Sequence, residues 1–233
     1  MKNLTVLYLP SQWLLPDRAQ LGASACVVID VIRATTTITA ALAVGAAGVR
    51  PVASVAEAEA LKAQNPARLL AGERHGLPLP GFDLGNSPRA LNPAVVAGRE
   101  IILTTTNGTQ ALAACHGARA VLAGALVNLT ATARHLHQLG PPWIIVCAGF
   151  EGGFGLDDAL VAGALAEALG ESSPFTALYR SAQGDLAATL LGSQAGQELK
   201  KIGLQDDVPS CAEIDIYNLT AVLDGTGVLR AKS

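Results

Sequence analysis

Short apolar runs recur along this chain, and most lead through a polar turn into an alanine-rich stretch. The run at 26–31, C-V-V-I-D-V, lacks the alternation of a half-exposed strand, so both of its faces must be covered. Runs at 4–9, 49–53, 68–71, 100–104, 120–124 and 143–147 also read as strands. Between them, helical stretches are predicted at 34–44, 54–64, 92–97, 108–115, 128–139 and 156–169, with two more near 182–191 and 193–202. Ser54 and Glu57 form a capping box, Pro141-Pro142 stops a helix, and Asp224-Gly225 marks a hairpin turn between 220–223 and 227–229. Strands alternating with helices imply an α/β chain: three layers, α/β/α, around a mainly parallel or mixed central sheet. No linker-like stretch divides it, so residues 1–233 are expected to form a single domain. Half of the residues are apolar and only 4% aromatic, so Ala, Leu and Val must build the core.

Composition removes several functional classes. The formal net charge is -3, the sequence pI is about 5.8, and Lys and Arg do not cluster, which argues against a nucleic-acid partner. Apolar stretches are short or broken by Gly, so neither a membrane span nor a secretory leader is expected, and the chain reads as cytoplasmic. Cys26, Cys115, Cys147 and Cys211 are too widely spaced for a zinc pattern and read as buried free thiols. Motifs for a P-loop, a nucleophile elbow and a zinc-helix protease are all missing. Alanine-rich helices and scarce charge leave room for a homodimer.

The polar turns after the strands carry the chemistry. Asp30 closes the 26–31 run and Arg33 follows it; the pair suits a metal or phosphate site, or a plain capping ion pair. Thr35, Thr36 and Thr37 open the next helix, where free N–H groups and hydroxyls could cradle an anion or simply cap. Thr105, Thr106, Asn107, Gly108 and Thr109 repeat the device after another strand, with Asn-Gly permitting a positive φ. Cys147 and Gly149 end a third strand, and Asp157 and Asp158 open the helix beyond. The stretch 72–88 crowds Glu73, Arg74, His75, Asp83, Asn86 and Ser87 among glycines and prolines and reads as an ordered site loop, with His75 placed to protonate a leaving alkoxide. Several carboxylates around one point need a cation, and hard oxygen ligands suit Mg2+. These features describe an enzyme for a small, multiply anionic substrate. A non-catalytic anion sensor is less consistent with so many acids.

The segments D-V-I-R-A-T-T-T, G-E-R-H-G with P-G-F-D-L-G-N-S-P, T-T-T-N-G-T and C-A-G with L-D-D occur in order and resemble the 2-phosphosulfolactate phosphatases of coenzyme M biosynthesis. The resemblance implies a family-specific α/β/α fold and Mg2+-dependent hydrolysis of 2-phospho-3-sulfolactate to 3-sulfolactate and phosphate. Another phosphorylated hydroxy acid is the alternative substrate. Carried over, Asp30, Glu73, Asp157 and Asp158 are the metal candidates, and Asp30, Arg33, Glu73 and Arg74 the catalytic ones. The implied substrate wall combines Thr35–Thr37, Asn86, Ser87, Thr105–Thr109, Cys147 and Gly149. Gly155 stands where the family often has Ser, so no ligand role is assigned there.

Overall fold

Ten strands and eleven helices lie within residues 3–232, which the computed structural model describes. The strands are β1 (Leu4–Leu7), β2 (Ala25–Ile29), β3 (Gly48–Pro51), β4 (Leu69–Arg74), β5 (Leu77–Pro78), β6 (Glu100–Thr104), β7 (Ala120–Gly124), β8 (Trp143–Cys147), β9 (Thr220–Leu223) and β10 (Leu229–Lys232). The helices are α1 (Arg18–Ala23), α2 (Ala34–Ala43), α3 (Val55–Gln64), α4 (Pro93–Val96), α5 (Gly108–Ala114), α6 (Leu129–Leu139), α7 (Leu156–Ala168), α8 (Thr176–Ala182), α9 (Leu186–Leu191), α10 (Gln194–Lys201) and α11 (Asp207–Ala212).

The strands form one mixed sheet in the order β1-β8-β2-β7-β9-β10-β3-β6-β4-β5. Strands β1, β8, β2 and β7 pair in parallel, and so do β3, β6 and β4. The C-terminal hairpin β9–β10 lies between these halves, antiparallel to both of its neighbours. The two parallel halves therefore run in opposite senses. Sheet twist of about 20–25° per strand accumulates over the five steps from β2 to β6. The carboxyl ends of these two strands still meet: a Cβ on Gly108, just after β6, would lie 2.6 Å from Asp30 Oδ2, just after β2.

β2 is completely buried, as its unbroken apolar run requires. Its pleat sends Val27 and Ile29 into the core beneath α6–α11, while Cys26 and Val28 enter the core shared with α2 and α5. Each such side chain contributes about 1.5–3 kcal/mol by burial. The result is the three-layer α/β/α arrangement expected from the alternation.

Several local boundaries differ from the sequence reading. β4 extends to Arg74 and returns as β5, so the 72–88 stretch begins as a hairpin. Its turn residues, His75 and Gly76, have φ of 52° and 78°; two positive φ values match strand twist in a tight hairpin. Farther on, Leu84 returns to β4, exchanging backbone hydrogen bonds with Leu70 and Gly72. Helix α11 escapes the sequence reading because Pro209 and Ser210 resemble a turn; Pro209 lies in the first turn, where its missing N–H is harmless.

Helix α7 carries two site acids and is crossed closely by α8. A Cβ on Gly163 would collide with the backbone of Phe175 and Thr176. Gly163→Ala should therefore destabilise the protein by about 1–3 kcal/mol, despite the better helix propensity of alanine. Urea unfolding should show a lower midpoint at an unchanged m-value; an equal or higher midpoint would mean that the crossing relaxes freely.

Candidate active site

The turn after β2 builds the centre of the site. Asp30 Oδ1 accepts from the Ala34 N–H at 3.2 Å, so the carboxylate caps α2. Thr35 and Thr36 donate their hydroxyls back to the Asp30 and Val31 carbonyls at 2.9 and 2.8 Å. Thr37 donates to the Asn86 carbonyl at 3.1 Å. The threonine triplet thus ties down the turn and the 72–88 stretch, and its hydroxyls do not line the cleft.

A cleft of about 90 Å³ opens beside Asp30. Its acidic wall comprises Asp30, Glu73, Asp157 and Asp158, drawn from three separate polar turns. Asp158 is held by the Val31 and Gly149 N–H groups, both at 2.9 Å. Glu73 accepts from the Gly76 N–H at 2.8 Å and the Thr106 N–H at 2.7 Å, which fastens the β4–β5 hairpin to the turn after β6. Arg33, Asn86, Thr106, Asn107 and Gly149 also reach this cleft, so a large part of the expected constellation converges.

Other expected members face elsewhere. Arg74 is turned toward β6, with its guanidinium donating to the Glu73 and Thr104 carbonyls and to Thr104 Oγ1. It is engaged as a strand brace and does not line the cleft, although it was a catalytic candidate. Ser87 points at Asp207, its hydroxyl donating to Oδ1 at 2.6 Å. Thr105 and Thr109 bond to each other, capping α5. Gly108 contributes close approach to Asp30, as its Cβ contacts reveal. Cys147 is fully buried in the apolar core, where burial pushes its thiol well above the usual range; it is a packing residue there.

Sequence reasoning missed Asp207 and the wall supplied by α10. Arg33 Nη1 donates to Asp207 Oδ2 at 2.7 Å, while Nη2 donates to the Gly76 carbonyl. Ala195, Glu198 and Leu199 from α10, with Glu151 from the glycine turn, complete the cleft. Leu199 lies every fourth residue from Ala195, so the apolar spacing of α10 was readable, but its partner surface was not.

Electrostatics set the acids apart. Burial raises Asp30 to about 7; the Ala34 amide opposes it, repulsion from Glu73 and then Asp157 adds to it, and the Gly108 amide opposes it least. Burial likewise raises Asp157 to about 6. Asp158 is raised well above the normal carboxylate range by burial, then by Asp157 and Asp30. Among the described residues no group of three or more acidic, His or Cys side chains is arranged to hold a metal unaided. Two carboxylates do suit Mg2+, which usually completes its shell with water and substrate phosphate.

A three-layer α/β/α fold thus gathers a buried carboxylate cluster and one arginine at strand-end turns, a polar site of the kind found in enzymes. Residues 13–226 match the family model described as 2-phosphosulpholactate phosphatase. The chain is 41% identical to the probable 2-phosphosulfolactate phosphatase of Synechococcus sp. (strain RCC307), with 92% of this chain and 96% of the relative covered. Similar relatives bearing that name occur in Symbiobacterium thermophilum, at 40% identity over 89% and 94% of the two chains, and in Deinococcus radiodurans, at 42% over 90% and 91%. The chain belongs to the 2-phosphosulfolactate phosphatase family, and its enzyme class is that of a phosphoric monoester hydrolase. No helix among the described residues is long and apolar enough to cross a membrane.

The raised acids make folding pH-dependent. Their folded values, about 7 and about 6, exceed the ordinary 3.8, so the folded chain retains protons that the unfolded chain has released. Without metal, stability should fall as pH rises from about 4 to about 7. Asp30→Asn should flatten that decline in denaturant titrations run with EDTA at several pH values. An undiminished decline in the variant would place its origin in groups other than Asp30.

Proposed function

We propose that the protein hydrolyses 2-phospho-3-sulfolactate to 3-sulfolactate and phosphate with Mg2+ as cofactor. The observation that carries the cofactor is the charge imbalance of the cleft. Asp30, Glu73, Glu151, Asp157, Asp158 and Glu198 line it, against the cations or potential cations Arg33 and His75. A substrate bearing phosphate, sulfonate and carboxylate groups would be repelled unless a cation offset the acids. Asp30 and Asp157 are the residues best suited to hold Mg2+, because Asp158 and Glu73 already accept N–H groups on both carboxylate oxygens. Bound there, Mg2+ would neutralise charge on the phosphoryl oxygens.

The protein's own groups divide the remaining work. Arg33 faces the phosphoryl oxygens and stabilises their charge as the P–O bond loosens. Asn86 Oδ1 is buried without a hydrogen-bond partner, a cost that the attacking water, as an O–H donor, would remove. With a cation on its carboxylate Asp30 would stay deprotonated, so its part is to hold the ion and not to take a proton. His75, exposed at the hairpin tip on the cleft rim, is placed to protonate the leaving alkoxide.

Phosphate release should be measured from 2-phosphosulfolactate and from phospholactate, each with Mg2+ and with EDTA. The expected outcome is metal-dependent release that is faster from the sulfonate. Asp30→Asn should reduce kcat by about 100-fold or more while remaining folded. Faster turnover of phospholactate would redirect the substrate reading, and no metal-dependent release from either compound would end it.

A further inference from the structure

Arg33 is only 4% exposed, and its guanidinium cannot shed its charge. Its counterion comes from the far end of the chain: Asp207, whose side chain is 5% exposed, meets Nη1 at 2.7 Å. The second Nη donates to the Gly76 carbonyl. A guanidinium has five N–H donors in a rigid plane, so these two bonds fix the plane and leave donors for the cleft that Arg33 lines. Asp207 is itself fixed. Its Oδ1 accepts the Ser87 hydroxyl at 2.6 Å, and its backbone N–H donates to the Leu204 carbonyl at 3.1 Å. Asp207 does not line the cleft. A buried ion pair is poor evidence of stabilisation by itself, because apolar side chains of similar volume often serve a fold as well. The directional chain Ser87–Asp207–Arg33 has a different value, since it holds a phosphate-recognising group in one orientation.

We infer that Asp207 is a positioning residue, which with Ser87 aims the Arg33 guanidinium at the phosphoryl group. The inference rests on the phosphatase reading of the cleft. Ser87 acts through Asp207, and Asp207 acts through Arg33; neither touches the substrate.

The test compares wild type with Asp207→Asn, Asp207→Glu, Ser87→Ala and the Ser87→Ala/Asp207→Asn double variant. Thermal midpoints, kcat and KM with 2-phosphosulfolactate, and Kd for inorganic phosphate with Mg2+ are measured for each. Folded Asp207→Asn should lose about tenfold or more in kcat and bind phosphate more weakly, because a misaimed group is inefficient even when present. Asp207→Glu should recover part of both. Ser87→Ala should lower kcat several-fold on its own and change nothing in the Asp207→Asn background. Wild-type kcat and phosphate affinity in folded Asp207→Asn, or independent effects of the two substitutions, would overturn the inference. If Asp207→Asn does not fold, Ser87→Ala decides, since the ion pair remains; unchanged kcat and phosphate affinity then overturn it. A wild-type protein inactive on 2-phosphosulfolactate defeats the substrate reading alone, and phosphate affinity then carries the comparison. Wild type that neither turns over substrate nor binds phosphate defeats both.

Discussion

The arrangement of this protein depends on a narrow seam in its sheet. Two parallel halves of opposite sense are joined through β9 and β10. β7 meets β9 through the pairs Leu122–Val222 and Ala123–Ala221, and β10 meets β3 at Leu229–Val49. The hairpin turn is held by Asp224, which accepts from Thr226 and Val228 amides and from Arg230. Helix α2 packs over this seam, touching β9, β10, β7 and β3. Because α2 begins at the Asp30–Arg33 turn, the element covering the seam also carries the centre of the cleft. The same helix therefore links the closed sheet to the position of the Asp30–Arg33 turn.

The cleft opposes that assembly electrostatically. Burying several carboxylates together is unfavourable, and the raised values of Asp30, Asp157 and Asp158 express the cost. Backbone amides relieve part of it at Asp158 and Glu73. The remainder is a standing preference for positive charge within the cleft. Arg33 meets only some of that demand because Asp207 already offsets it. An acidic pocket can consequently suit a substrate that is itself highly negative, provided that a cation arrives with it.

What the sequence reveals follows the range of the interactions. The buried strand at β2, the Asp30 turn and the capping residues of α3 are local, and their patterns are readable. The α/β class follows from their alternation, and the C-terminal hairpin from Asp224-Gly225. The insertion of that hairpin between two halves is decided by pairings far apart in the chain and leaves no local trace. The same distinction runs through the site. Asp30, Glu73 and Asp157 can be found because each stands in a polar stretch close behind an apolar run. The direction of Arg74 depends on the pairing of β4 with β6 beside Thr104, and Thr35–Thr37 look like an anion cradle until the backbone carbonyls beneath them are located. Asp207 is separated from Arg33 by 174 positions and sits in a segment resembling a turn.

Gly76 gives the hairpin a mechanical meaning. Its N–H holds Glu73, its carbonyl receives Arg33, and a Cβ there would lie 2.7 Å from Ile202 Cδ1. One peptide-bearing residue thus latches an acid, a base and the end of α10 together. A swinging flap would have to release all three at once, surrendering the pocket's charge pattern along with its shape.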